Sequence, residues 1–96
     1  MGPEAKLESR FCREIKRMGG LCYKWVSPGC SGVPDRIVIY RDTVWFIEFK
    51  SDRGRLSAQQ EKIISDIEAQ GCKVYVVFGE DGVQAMLNTI KQATEN

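Results

Sequence analysis

The stretch DRIVIYRDTVWFIEFK, residues 35–50, constrains the fold more than any other part of the chain. Two apolar runs flank a short polar break at Arg41, Asp42 and Thr43. Neither run alternates apolar with polar residues, as a strand with one wet face would. A hairpin made from them is therefore apolar on both faces, and helices on both sides of a sheet would explain that. Yet Asp35, Glu48 and Lys50 stand in or against these runs. A charge buried there is costly unless it is paired or bound to a metal.

The flanking segments supply the helices. Residues 3–18 carry Leu7, Phe11, Ile15 and Met18 as an apolar stripe at helical spacing, and Gly19-Gly20 ends the run. Residues 21–26 alternate like a strand, and SPGCSGVP, 27–34, is a turn-rich loop. Strands are expected at 35–40 and 44–49, and a helix over 57–70 that stops at Gly71. A buried strand at 73–78 follows, then a last helix marked by Val83, Met86, Leu87 and Ile90. The order is αβββαβα, an α/β fold in one domain spanning residues 1–96.

A two-residue turn at Arg41-Asp42 sets Tyr40 opposite Thr43, Ile37 opposite Phe46 and Asp35 opposite Glu48. Lys50 shares the face of Glu48, two residues along the strand. Arg-Asp is not a favoured turn pair, and a loop of odd length would break this register. Counted this way, two carboxylates and an ammonium converge at one end of the hairpin.

Composition narrows the chemistry. There is no histidine, and Cys12, Cys22, Cys30 and Cys72 form no CxxC pair. A zinc site is not expected, and the cysteines read as small core residues in a reducing, cytoplasmic setting. Proton transfer near neutral pH is left to carboxylates, lysine or water on a metal. No apolar run is long enough to span a membrane, and charges interrupt the first twenty residues, unlike a signal peptide. The net charge of +1 conceals an excess of +4 over residues 1–62 and −3 over 63–96. The cationic half is the one that holds the triad, as an anionic partner would require.

Two facing carboxylates repel, which raises one pKa or recruits a cation. Mg²⁺, a hard ion held by two carboxylates and waters, is the natural remedy, and it would neutralise charge on a phosphate under attack. Lys50 could then hold the phosphate and orient the attacking water. The competing reading is a structural α/β domain with a buried ion pair, which predicts no binding of Mg²⁺ or Mn²⁺.

Pro34-Asp35, a thirteen-residue step to Glu48, then Phe49 and Lys50 resemble the PD-(D/E)XK nuclease signature. The stretches GGLCYKW, YKWVSPGCSGVPDR and FIEFKSDRGRLSAQQ resemble more narrowly the standalone VRR-NUC domains of phages and bacteria. The resemblance runs from about Glu8 to Phe78. It implies a restriction-endonuclease-like core, αβββαβ, with a mixed central sheet flanked by helices. It also implies Mg²⁺, with Mn²⁺ as a substitute, and hydrolysis of DNA phosphodiesters. Asp35 and Glu48 become metal ligands, the Phe49 carbonyl a third, and Lys50 the catalytic lysine. The family also carries an acidic residue where Glu8 stands, with a water-mediated metal contact, although Glu8 also reads as an ordinary surface glutamate.

Gln60 has two readings. Ser57 and Gln60 fit the S-x-x-Q capping box, which needs no function. Gln60 also tops the stripe Ile63, Ile64, Ile67, and related nucleases place a glutamine here facing the active site. Lys24, Arg36, Arg53 and Arg55 are candidate phosphate contacts. Trp25 and Trp45 could stack on bases, though strand tryptophans are more often core. The implied activity is that of a structure-selective endodeoxyribonuclease, a homodimer resolving four-way (Holliday) junctions. Alternatives are a nuclease directed at flaps, nicks or ends, and a DNA-binding module that does not cut.

Overall fold

The computed structural model describes residues 2–93. Helix α1 spans Pro3–Arg17, and strands β1 Leu21–Lys24, β2 Arg36–Tyr40 and β3 Thr43–Lys50 follow it. Helix α2 is Ala58–Ala69, strand β4 Val74–Phe78 and helix α3 Gly79–Ala93. The expected order αβββαβα is the observed one. The four strands form one sheet in the order β1-β2-β3-β4. β1, β2 and β3 pair antiparallel, and β4 pairs parallel to β3 after the α2 crossover that parallel pairing demands.

The hairpin register is the one counted from the sequence, with Tyr40 opposite Thr43 and Ile37 opposite Phe46. Arg41 and Asp42 both take positive φ, 46° and 69°. Two consecutive left-handed residues match the right-handed twist of the flanking strands, so the turn is tight despite its unfavoured composition. β3 extends to Lys50, one residue beyond expectation, which puts the lysine on the ladder opposite Phe78. β1 ends two residues early, at Lys24, although the Trp25 N–H still donates to the Asp35 carbonyl at 3.0 Å.

One face of the sheet is fully covered. Leu7, Phe11, Cys12 and Ile15 of α1 pack with Val83, Met86, Leu87 and Ile90 of α3 onto Cys22, Val38, Trp45, Ile47, Phe49 and Val77. Phe11 meets Phe49 edge to face, 5.2 Å between centroids, a geometry that adds to their burial. Trp45 is thus core, while Trp25 is half-buried against Phe46.

The opposite face departs from expectation. α2 packs on β4, and none of its residues is fully buried; Ile63, Ile64 and Ile67 are half-covered. A crossover into an edge strand places its helix over that edge, so cover reaches only the β3–β4 half. Leu21, Tyr23, Ile39 and Val44 are left exposed on the rest of this face. The cysteines divide likewise, with Cys12 and Cys22 in the core, Cys30 half-buried, and Cys72, just past α2, exposed. Among the described residues no helix is long and apolar enough to cross a membrane.

Candidate active site

β-alternation sends Glu48 and Lys50 to the α2 face of the sheet, away from the α1–α3 core. Both are nonetheless buried, Glu48 at only 2% exposure. The Lys50 Nζ lies 3.9 Å from Glu48 Oε2. Asp35, the residue before β2, turns its carboxylate to β3, where Oδ2 accepts from the Phe49 N–H at 2.9 Å. Beside burial, the Asp35 charge acts on the Glu48 carboxyl and raises its pKa. The three charges picked out in the sequence thus meet at the C-terminal end of β3.

Gln60 reaches the same point. Its Nε2 donates to Glu48 Oε2 at 3.0 Å, while its Oε1 accepts from the Ser57 N–H at 2.9 Å. Ser57 Oγ in turn accepts from the Gln60 N–H at 3.1 Å, completing the capping box. An amide carries its donor and acceptor on separate atoms, so one side chain performs both roles. The loop before Asp35 is pressed onto the same helix end. Gln59 Nε2 donates to the Ser31 carbonyl at 3.2 Å, and a Cβ on Gly32 would meet the Gln59 backbone oxygen at 2.9 Å. Only glycine allows that approach, and Gly32 takes φ +93° besides.

Burial and the facing Asp35 charge push the Glu48 carboxyl up to about 7, against the pull of Lys50. Burial likewise raises Asp35, partly offset by the Phe49 N–H. Without metal, the pair therefore holds a proton near neutral pH. In the folded state Glu48 stays protonated well above the point where the unfolded chain ionises. The folded chain thus binds more protons across roughly pH 4.5 to 7, and stability falls as pH rises through that window. Thermal unfolding in chelator is expected to show a lower midpoint at pH 8 than at pH 5. Glu48→Gln should remove most of that difference, about 10 °C for a loss on the order of 2 kcal/mol. Equal pH slopes in wild type and variant would contradict the buried-carboxyl assignment.

Arg36 and Glu8 meet on the α1 side of the sheet. Strand alternation turns Arg36 away from Asp35 and toward α1, where its Nε donates to Glu8 Oε2 at 2.9 Å. Arg36 thus holds an ion pair, and the Glu8 carboxylate is fixed by it. Among the described residues no group of three or more His, Cys, Asp or Glu side chains is placed to hold a metal ion. Glu4, one helical turn before Glu8, adds its negative charge to the field at both Asp35 and Glu48. Only its i−4 spacing from Glu8 could have pointed to it. Lys24, Arg53 and Arg55 are exposed.

The donor set suits a hard divalent ion. Two facing carboxylates are oxygen donors of the kind that Mg²⁺ accepts when water and substrate oxygens complete its shell.

Comparison with known proteins identifies the family and the fold. The VRR-NUC domain family model matches residues 7–81. The chain belongs to the VRR-NUC domain family. It is 33% identical over 79 residues, 81% of this chain and 85% of the relative, to a protein named "Putative nuclease p44" from Acyrthosiphon pisum secondary endosymbiont phage 1. A solved structure described as a VRR_NUC domain superposes with a TM-score of 0.84 at 26% identity, covering 92% of this chain and 97% of that one. This α/β chain is thus a nuclease domain, and Asp35, Glu48, Lys50 and Gln60 all fall within the matched segment.

Proposed function

We propose that this VRR-NUC chain is a metal-dependent, structure-selective endodeoxyribonuclease of the PD-(D/E)XK type that acts as a homodimer on four-way DNA junctions. The observation that carries the reading is the buried Asp35–Glu48 pair with Lys50 and Gln60 at the end of β3. Asp35 and Glu48 would hold Mg²⁺ or Mn²⁺, joined by the Phe49 carbonyl. When bound, the ion supplies charge neutralisation at the scissile phosphate.

The chain's own groups prepare that site. The Phe49 N–H fixes one oxygen of Asp35 and Gln60 Nε2 fixes one oxygen of Glu48, so neither carboxylate has to be oriented when a cation arrives. Lys50, 3.9 Å from Glu48, would donate to a phosphate oxygen and align the attacking water. Exposed Lys24, Arg53 and Arg55 would contact phosphates along the strand, fixing position rather than base sequence. Glu8 acts through water, with its carboxylate held by Arg36.

Two-fold symmetry matches the substrate, because a four-way junction offers equivalent cuts on opposite strands. The test is a panel of four-way, flapped, nicked and linear DNAs with Mg²⁺ or Mn²⁺ at fixed salt. Paired incisions in the four-way junction, absent in chelator, are expected. Preferred cutting of flaps, nicks or ends would replace the junction assignment, and binding without cutting in either metal would overturn the nuclease mechanism.

A further inference from the structure

Lys50 is the last residue of β3 and its ladder partner Phe78 the last of β4, so the lysine stands on the final rung of the sheet. Terminal rungs fray unless something beyond them holds the backbone. Beyond this one lies a tight turn, Ser51 to Gly54, closed by the Gly54 N–H donating to the Ser51 carbonyl at 2.9 Å. The turn is fastened at two points. Gly54 lies against the lysine stem, where an added Cβ would come within 3.2 Å of the Lys50 Cβ. Asp52 reaches across to Gly79, the residue that follows Phe78 and opens α3, and a Cβ there would run into the Asp52 carboxylate. Gly79 takes φ +63°, so glycine serves both the bend into α3 and the approach of Asp52. A carboxylate at the first turn of a helix is also favoured by the helix dipole.

We propose that Asp52 is a positioning residue for Lys50: it pins the turn to the start of α3, and the pinned turn holds the lysine at the site. The inference rests on the nuclease reading for what Lys50 does, and adds a residue outside the cluster of Asp35, Glu48, Lys50 and Gln60. Asp52 is exposed, so it contributes no packing to the core. A cleft of about 300 Å³ opens between the turn, α1 and α3, with Lys6, Leu7 and Glu80 in its walls. The turn therefore has room to swing away, and the contact of Asp52 with Gly79, rather than close packing, keeps it in place. The ion pair of Lys50 with Glu48, at 3.9 Å, is too long to fix a flexible four-carbon stem by itself.

Acylation of the folded chain by acetic anhydride, read residue by residue by mass spectrometry without DNA or metal, reports on Lys50 separately from cleavage. The Lys50 side chain is 11% exposed against 70% for Lys62, which serves as the internal reference. Asp52→Ala is expected to raise Lys50 labelling relative to Lys62 at least about threefold. In single-turnover cleavage it should cut about 10- to 100-fold more slowly, with DNA affinity and melting midpoint held, because a small misplacement of a reacting group costs that much. Asp52→Asn keeps an oxygen over Gly79 and should restore both readouts. Gly54→Ala displaces the lysine stem from the other end of the turn. It should change Lys50 labelling and slow cleavage likewise, and it takes the place of Asp52→Ala if that variant fails to fold. Unchanged Lys50 labelling in Asp52→Ala, or in Gly54→Ala where it stands in, overturns the inference. So does a melting midpoint that falls in step with the rate, which would make Asp52 a prop for the fold. Raised labelling with undiminished cleavage upholds the pin and takes Lys50 out of the reaction. A wild type that cuts no DNA sinks the nuclease reading, while the labelling still decides whether Asp52 holds the lysine.

Discussion

Glu48→Gln is expected to cut DNA at least about a thousandfold more slowly than wild type while melting at the same or a higher temperature in chelator at pH 8. The two effects share one cause. The glutamine keeps the volume of the side chain, so no cavity opens in a site with 2% exposure. Its carbonyl oxygen can still accept from Gln60 Nε2, so no buried polar atom is stranded. What disappears is the carboxylate that burial and Asp35 have made costly to ionise, and with it the charge that a divalent ion needs. Activity and stability should therefore move in opposite directions, a pattern that damage to the fold does not produce. Asp35→Asn should lose activity similarly. Lys50→Ala should lose cleavage yet still bind DNA and metal, since neither carboxylate is touched. Wild-type cleavage by Glu48→Gln in Mg²⁺ would remove Glu48 from the site.

The parts of this protein that were legible in the sequence are those governed by short-range periodicity. Side chains alternate along a strand with a period of two, so one assumed turn sufficed to place Ile37 opposite Phe46 and to bring Asp35 to Glu48. The turn itself was less legible, because Arg41 and Asp42 adopt left-handed φ for the sake of strand twist rather than by preference. The same alternation, applied to the residue after Asp35, sends Arg36 to α1 and into an ion pair with Glu8, a partner that its reading as a candidate phosphate contact did not include. The half-cover of α2 was not legible at all. Apolar composition says that a face avoids water, not whether a helix or another chain covers it, and the Gln60–Ile67 stripe reads the same in either case.

Gln60 is where an either-or reading gave way to one side chain with two partners, and it supports the second large prediction. Gln60→Glu keeps an oxygen for the Ser57 N–H, so the capping box survives. It replaces the Nε2–H donor with a third carboxylate against Glu48 Oε2. Groups that orient a metal-binding carboxylate typically contribute 10–100-fold to activity or affinity, and a loss of about that size is expected here. Ser57→Ala is the matching control. It removes the hydroxyl that accepts from the Gln60 N–H and should cost about 1 kcal/mol of stability, while the Gln60–Glu48 contact and the cleavage rate remain. The two variants thus separate the cap from the contact with Glu48: stability falls with little change in rate for the serine, and rate falls with the cap intact for the glutamine. Cleavage by Gln60→Glu at the wild-type rate would reduce Gln60 to a cap. A loss of cleavage in Ser57→Ala as deep as in Gln60→Glu would mean that the helix end, rather than the amide, is what the site requires.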